Sequence, residues 1–231
     1  PANFFNTGSN VSNALSLSTG NDKSQSYISV ATTNATGIIP NNDYDRYNFS
    51  FRNTTNFLNN KFILDTSANY IIQNDKNMVS QGQYFNPLTS LYLFPRGEDF
   101  SDVAVYERYD DLSGVNTQYW PYGDLGGVSS QNPYWIMNRM NRENDRRRYK
   151  LAASLQYNII EGLNVQGRVS IDNTESKYTE KFHAGTVGNF AGPKGRYKEE
   201  NRLDRQVYAD VLANFNKTFN EFNVTANLGA S

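Results

Sequence analysis

The sequence predicts an all-β fold: an antiparallel transmembrane β-barrel segment of about eight strands, carrying long extracellular loops. Three observations predict it. Tyr149, Leu151, Ala153, Leu155 and Tyr157 place apolar or aromatic side chains at every odd position, while Arg148, Lys150, Ser154 and Gln156 lie between them. That is a period of two, the signature of a strand with one greasy and one polar face. The runs are about ten residues long, within the roughly 9 to 11 that a tilted strand needs to cross a membrane, whereas strands of soluble sheets are usually nearer five or six. The links between successive runs are alternately short and long, as in bacterial outer-membrane barrels.

Taken in order, residues 11–19 form the first strand, with Val11, Leu15 and Leu17 on one face and a turn signal at Gly20, Asn21 and Asp22. Residues 24–33 form the second, whose parity stays open because Tyr27 and Ala31 compete with Ile28 and Val30. Gly37 and Pro40 break the chain in the loop 34–43. The third strand shows the alternation most clearly, with Tyr47, Phe49, Phe51 and Phe57 set against Arg46, Asn48, Ser50 and Arg52. After Asn59-Asn60 the fourth returns with Phe62, Leu64, Ala68, Tyr70 and Ile72 against Asp65, Ser67 and Asn69. Periodicity then vanishes over residues 73–145, which are read as one long extracellular loop. The hairpin 146–172 follows it, with Leu163, Val165, Gly167, Val169 and Ile171 on the apolar face of its second arm. A second loop is expected over 173–202. The last two strands carry Val207, Ala209, Val211, Ala213 and Phe215, then Phe222, Val224, Ala226 and Leu228.

Composition narrows the class of function. A net charge of −1 gives no footprint for nucleic acid. With no cysteine, neither a disulfide framework nor thiolate chemistry is possible. No run approaches the ~18 apolar residues of a transmembrane helix, but a barrel hides its lipid face in alternate residues. Sixteen Tyr and 14 Phe favour β structure. Pro1 and the absence of a leader-like opening read as an internal fragment of a longer chain.

Several short motifs, taken together in their order, resemble the SusC/RagA-type TonB-dependent outer-membrane transporters. They are Phe4-Phe5-Asn6-Thr7-Gly8, Gly20-Asn21-Asp22-Lys23, Gly37-Ile38-Ile39-Pro40 before Asp45-Arg46-Tyr47, Asn86-Pro87-Leu88 with Phe94-Pro95-Arg96-Gly97, and Asn132-Pro133-Tyr134-Trp135 leading to Gly167-Arg168-Val169. The resemblance implies a 22-stranded barrel with an N-terminal plug, so residues 1–231 would be part of one barrel domain, with the plug and remaining strands outside this sequence. It also implies localisation in a Gram-negative outer membrane, nutrient uptake of glycans or peptides, energy from TonB, and a SusD-like surface lipoprotein as partner.

Aromatic residues crowd the long loop, and flat rings with polar handles suit stacking on sugars or gripping peptides. Tyr92, Tyr106, Trp120 and Trp135 are the loop candidates for substrate contact, and Arg52 and Arg168 the candidates on the polar strand face. For any one aromatic the stronger reading is that it forms the loop's own small core or its contact with the capping lipoprotein, since ordering so long a segment requires buried area. Lys61, Asp65, Lys150, Asp172 and Asp210 belong to the same polar face and are expected mainly to pair across strands or remain solvated.

No cofactor, metal site or catalytic group is expected. The acidic pairs Asp43/Asp45, Glu98/Asp99 and Asp110/Asp111 lack EF-hand spacing. His183, the one histidine, lacks partners for a metal or a triad. Gly123-Asp124-Leu125-Gly126-Gly127 lacks the lysine of a phosphate cradle. An enzyme is therefore not the reading. Two alternatives remain open: a self-contained eight-stranded barrel acting as adhesin or anchor, and a secreted carbohydrate-binding β-sandwich whose alternation marks a core instead of a lipid face.

Overall fold

A computed structural model describes residues 2–122 and 130–231; the glycine-rich 123–127 segment lies outside the described residues. The strands are β1 (Ser9–Gly20), β2 (Ser24–Thr36), β3 (Asp43–Phe57) and β4 (Phe62–Lys76), then β5 (Glu107–Asp110) and β6 (Val115–Gln118) inside the long loop, and β7 (Met140–Ile160), β8 (Leu163–Phe182), β9 (Arg196–Phe219) and β10 (Phe222–Ala230). Two short helices, α1 (Pro87–Leu93) and α2 (Pro133–Arg139), also belong to that loop. Eight strands form one antiparallel sheet in the order β1-β2-β3-β4-β7-β8-β9-β10, so every strand lies beside its neighbour in the meander. The fold is that of a transmembrane β-barrel segment with long loops at one end.

Register aligns the apolar residues into continuous rows. Leu15 faces Val30, Val30 faces Phe49, Phe49 faces Tyr70 and Tyr70 faces Tyr149; near the middle, Ala153 faces Val169 and Val169 faces Ala209. This settles the parity of β2, because Ile28 and Val30 share the face of Leu15, Leu17, Phe49 and Phe51. The rows are not covered: Phe49, Leu151 and Val169 are 43%, 46% and 47% exposed. A sandwich would bury these side chains under a second sheet, and the structure has none there among the described residues. A closed eight-stranded barrel would pair β1 with β10, yet these are the two outer strands of the sheet.

Aromatic residues border the apolar band at both levels. Phe57, Phe62 and Tyr157 stack in a ladder at the short-turn end, with ring centroids 5.3 and 4.6 Å apart; Phe49, Tyr70 and Tyr149 form the opposite row. Eight residues separate Tyr149 from Tyr157, roughly 27 Å along a strand at ~3.4 Å per residue. A tilt of about 35 to 45° reduces this to roughly 20 Å of height, comparable to the ~25 Å lipid-facing band of outer-membrane barrels.

Short turns close one end. Gly162 has φ +83°, and a Cβ there would sit 2.5 Å from the Asn216 carbonyl oxygen, so the turn from β7 to β8 requires glycine. At the other end the strands run farther than their periodicity indicates. The expected loop 173–202 is largely strand, with β8 continuing to Phe182 and β9 starting at Arg196. The loop expected over 73–145 likewise shortens to residues 77–139. Beyond the aromatic row both faces meet water, so alternation is no longer required; cross-strand pairs such as Lys177 with Glu199 (3.1 Å), Lys181 with Glu143 (2.9 Å) and Arg196 with Glu180 (3.2 Å) lie along the extensions instead. Lys61 falls in the turn before β4, not in a strand.

Candidate functional site

Two surfaces can meet a solute: the polar face of the sheet, and the cap built by the long loops above it. On the polar face, arginine–aspartate ion pairs join neighbouring strands. Arg52 on β3 donates from Nε and Nη2 to Asp65 Oδ2 on β4, at 3.1 and 2.9 Å. Arg148 on β7 grips Asp172 on β8 at 2.8 and 2.5 Å. Arg168 on β8 donates Nε to Asp210 Oδ1 at 2.9 Å and Nη2 to Oδ2 at 2.5 Å. The Tyr208 hydroxyl donates to the same Oδ2 at 2.6 Å, and Asp210 is only 6% exposed. The guanidinium forks of both candidates, Arg52 and Arg168, are thus already engaged by carboxylates, which fixes their geometry and reduces their charge toward a ligand.

The cap contains the one hydrophobic core cluster among the described residues. Phe4, Ile39, Leu91, Trp135, Ile136, Met137, Met140, Phe182 and Ala191 are buried together, with Phe85, Leu88, Phe100, Tyr106, Tyr134 and Phe190 packed around them. Three loops meet there: residues 37–42, 77–139 and 183–195. Both helices start in the same way. Asn86 accepts a hydrogen bond from the Leu88 amide at 3.0 Å and Asn132 one from the Tyr134 amide at 2.9 Å, each followed by a proline at the first helical position. The Asn132 side chain also donates to the carbonyls of Val103 (2.8 Å) and Tyr119 (3.1 Å), while its own amide donates to Gln118 Oε1 at 2.7 Å. Asn77 plays a similar part at the loop's start: its Nδ2 donates to the carbonyls of Asn41 and Met137, and its Oδ1 accepts from the Arg142 amide. Buried amides with several partners hold irregular backbone in one arrangement without leaving polar groups unsatisfied.

The four aromatic candidates separate on this geometry. Trp135 is fully buried and donates Nε1 to Thr186 Oγ1 at 3.2 Å, joining two loops and offering no surface to a ligand. Tyr106 packs on the core beside Tyr134, ring centroids 6.4 Å apart. Trp120 donates Nε1 to Ser130 Oγ at 2.9 Å and sets its ring edge against Tyr122. Tyr92, 85% exposed on α1, is free to contact a solute. Tyr109, at 65% on the β5–β6 hairpin, is a second exposed ring.

Charged groups in the cap serve its internal order. Arg139 grips Glu107 at 2.7 and 2.9 Å, and these hydrogen bonds hold the Glu107 carboxyl below the usual carboxylate range. Asp99 accepts from the Ser101 amide at 2.9 Å, and Asp110 from the amides of Leu112 and Ser113, so these carboxylates cap turns. His183 is exposed; its amide donates to the Arg139 carbonyl at 2.9 Å.

A lipid-facing band, a charged inner wall and a loop cap at one end define a membrane-barrel wall segment. No protein-family model matches the chain, and no curated protein matches it. Among solved structures, the RagAB peptide transporter matches at TM-score 0.67 and 15% identity, over 95% of this chain and 24% of that one. The RagAB peptide importer in its open-open state matches at 0.66 and 16%, over 97% and 24%; in its closed-closed state at 0.64 and 14%, over 94% and 23%. The chain therefore spans about a quarter of the length of those transporter chains while sharing their fold over nearly all of its own.

Proposed function

We propose that the chain is part of a TonB-dependent nutrient importer of the SusC/RagA type in a Gram-negative outer membrane, taking up peptides or glycans together with a SusD-like surface lipoprotein. Residues 1–231 would supply eight neighbouring strands of a larger barrel, with the cap on the outer surface and the plug and TonB contacts elsewhere in the protein. The observation that carries this reading is the continuous, uncovered apolar face bordered by two aromatic rows. An interior of paired charges on its opposite side suits a wide, hydrated passage. Tyr92 and Tyr109, the two most exposed rings of the long loop, are the favoured first contacts for substrate.

The test is uptake by cells carrying the complete protein, using labelled oligopeptides and oligosaccharides in parallel. One of the two should enter in a manner that requires TonB and the co-expressed lipoprotein. Uptake of both at wild-type rates after deletion of the protein would remove this reading.

A further inference from the structure

The polar wall contains cations that the ion pairs leave over. Its carboxylates Asp65, Asp172, Asp204 and Asp210 are each gripped by an arginine, respectively Arg52, Arg148, Arg202 and Arg168. Arg46, Arg146 and Lys150 are exposed on the same face, and among the described residues none of them has an ion-pair partner. Register brings them together. Gln73 on β4 lies opposite Arg46 on β3 and opposite Arg146 on β7, so the two arginines flank one strand, roughly 10 Å apart at ~4.8 Å per strand spacing. Lys150 lies four residues along β7 from Arg146, between Asn69 and Asp172. The nearest unclaimed carboxylate on this face, Asp75, accepts from the amides of Asn144 (3.1 Å) and Gln73 (3.5 Å).

Depth gives the cluster its meaning. The Arg46 and Arg146 row sits next to the row of Tyr47 and Ile72, at the long-loop edge of the lipid band, and Arg142, four residues further along β7 from Arg146, already packs into the cap. A solute passing the cap would meet Arg46 and Arg146 at this edge, with Lys150 deeper along β7. Lys150 already faces Asp172 across the β7–β8 pair, whereas Arg46 and Arg146, with no ion-pair partner among the described residues, repel one another across β4 and are relieved when an anion binds between them.

Resting on the importer reading, we infer that Arg46, Arg146 and Lys150 form a binding site for carboxylate groups of the substrate, so that the protein favours anionic cargo. Two guanidinium forks across one strand can each take a carboxylate in bidentate fashion, and the ammonium of Lys150 supplies a third point charge deeper in the wall. Arg52 and Arg168, held by aspartates, act as fixed wall.

The complete protein in detergent, with and without the substitutions Arg46→Gln, Arg146→Gln and Lys150→Gln combined, tests this by calorimetric titration. The probes are an acidic and a neutral oligopeptide of equal length, and a uronate-bearing and a neutral oligosaccharide. Affinity for one acidic probe should fall roughly tenfold in the triple variant, the sum of three exposed charge contacts, and should weaken with salt; the neutral probes should be indifferent. Whichever acidic probe responds names the source of the carboxylate. The charge-preserving variant Arg46→Lys/Arg146→Lys should retain most of the binding, which a purely structural role would not produce. An equal loss for acidic and neutral probes overturns the inference, as does no loss at all. Lowered melting temperature with unchanged binding also overturns it, in favour of a contact with another part of the same protein. Binding is read without transport, so failure of uptake would sink the importer reading and leave this result standing.

Discussion

The sheet and the cap solve opposite problems with the same side chains. In the sheet, Leu151, Val169 and Val207 point outward and touch no core, so their free energy depends on the hydrocarbon around them, and the strands are held by backbone ladders and bidentate pairs. In the cap, Trp135, Ile136 and Met137 are 0 to 1% exposed and hold three loops together by ordinary hydrophobic packing. One half is organised by its solvent, the other by itself. A perturbation that harms one should therefore spare the other.

The sharpest break of this contrast is at Trp135. Trp135→Ala should cost the cap about 3 to 5 kcal/mol through the cavity left behind, and hydrogen exchange should rise across residues 77–139 and 183–195 while β3 and β4 keep their protection. Loss of protection throughout the sheet would show that the two regions are one cooperative unit.

Next in size is a charge on the lipid side. Val169 sits in the central row, so Val169→Arg should destabilise by about 2 to 4 kcal/mol in a refolding titration into vesicles, whereas Gln156→Arg on the polar face should shift the midpoint little. Equal tolerance would mean that the apolar face does not contact hydrocarbon.

Asn132→Ala removes a helix cap and leaves the carbonyls of Val103 and Tyr119 without their donor. A loss of about 1 to 3 kcal/mol confined to the cap is expected, measured by the same exchange experiment.

The smallest effect is a pH response. The Glu107 carboxyl is held low by Arg139, so its contribution is fully present above the ordinary carboxylate range and is lost as pH falls through the lowered folded value. Cap protection should thus be flat from neutral pH to about pH 5 and decline only in more acid solution, below about pH 4. Glu107→Gln should remove that part of the acid response, and a variant with an unchanged acid limb would assign the response elsewhere.

Strand order, the sidedness of the loops and the outward parity of β3, β4, β7 and β8 were legible because lipid on one side and water on the other impose a strict period of two on Phe49, Tyr70, Leu151 and Val169. The outer parts of β8 and β9 were not legible, since Glu175, Lys177, Glu199 and Arg202 lie where neither face needs to be apolar. The seven-residue helices were missed for a different reason: under two turns, no helical period can be seen, although the Asn-Pro starts at Asn86-Pro87 and Asn132-Pro133 carried the signal of a cap followed by the first turn. Arg52 and Arg168 were singled out for their charge, but their aspartate partners come from neighbouring strands, so only register could show that Arg46, Arg146 and Lys150 are the cations left open.

By itself the sequence determined which residues of β3, β4, β7 and β8 face lipid and which face the lumen, because a solvent boundary acts on each strand locally and writes its period into it; the parity of β2 came only from its register with β1 and β3. Tertiary structure decided which aromatic rings are buried in the cap, which arginines are neutralised and how far the strands extend beyond the membrane. Those outcomes depend on contacts between residues such as Trp135 and Thr186, or Arg168 and Asp210, that only folding brings together.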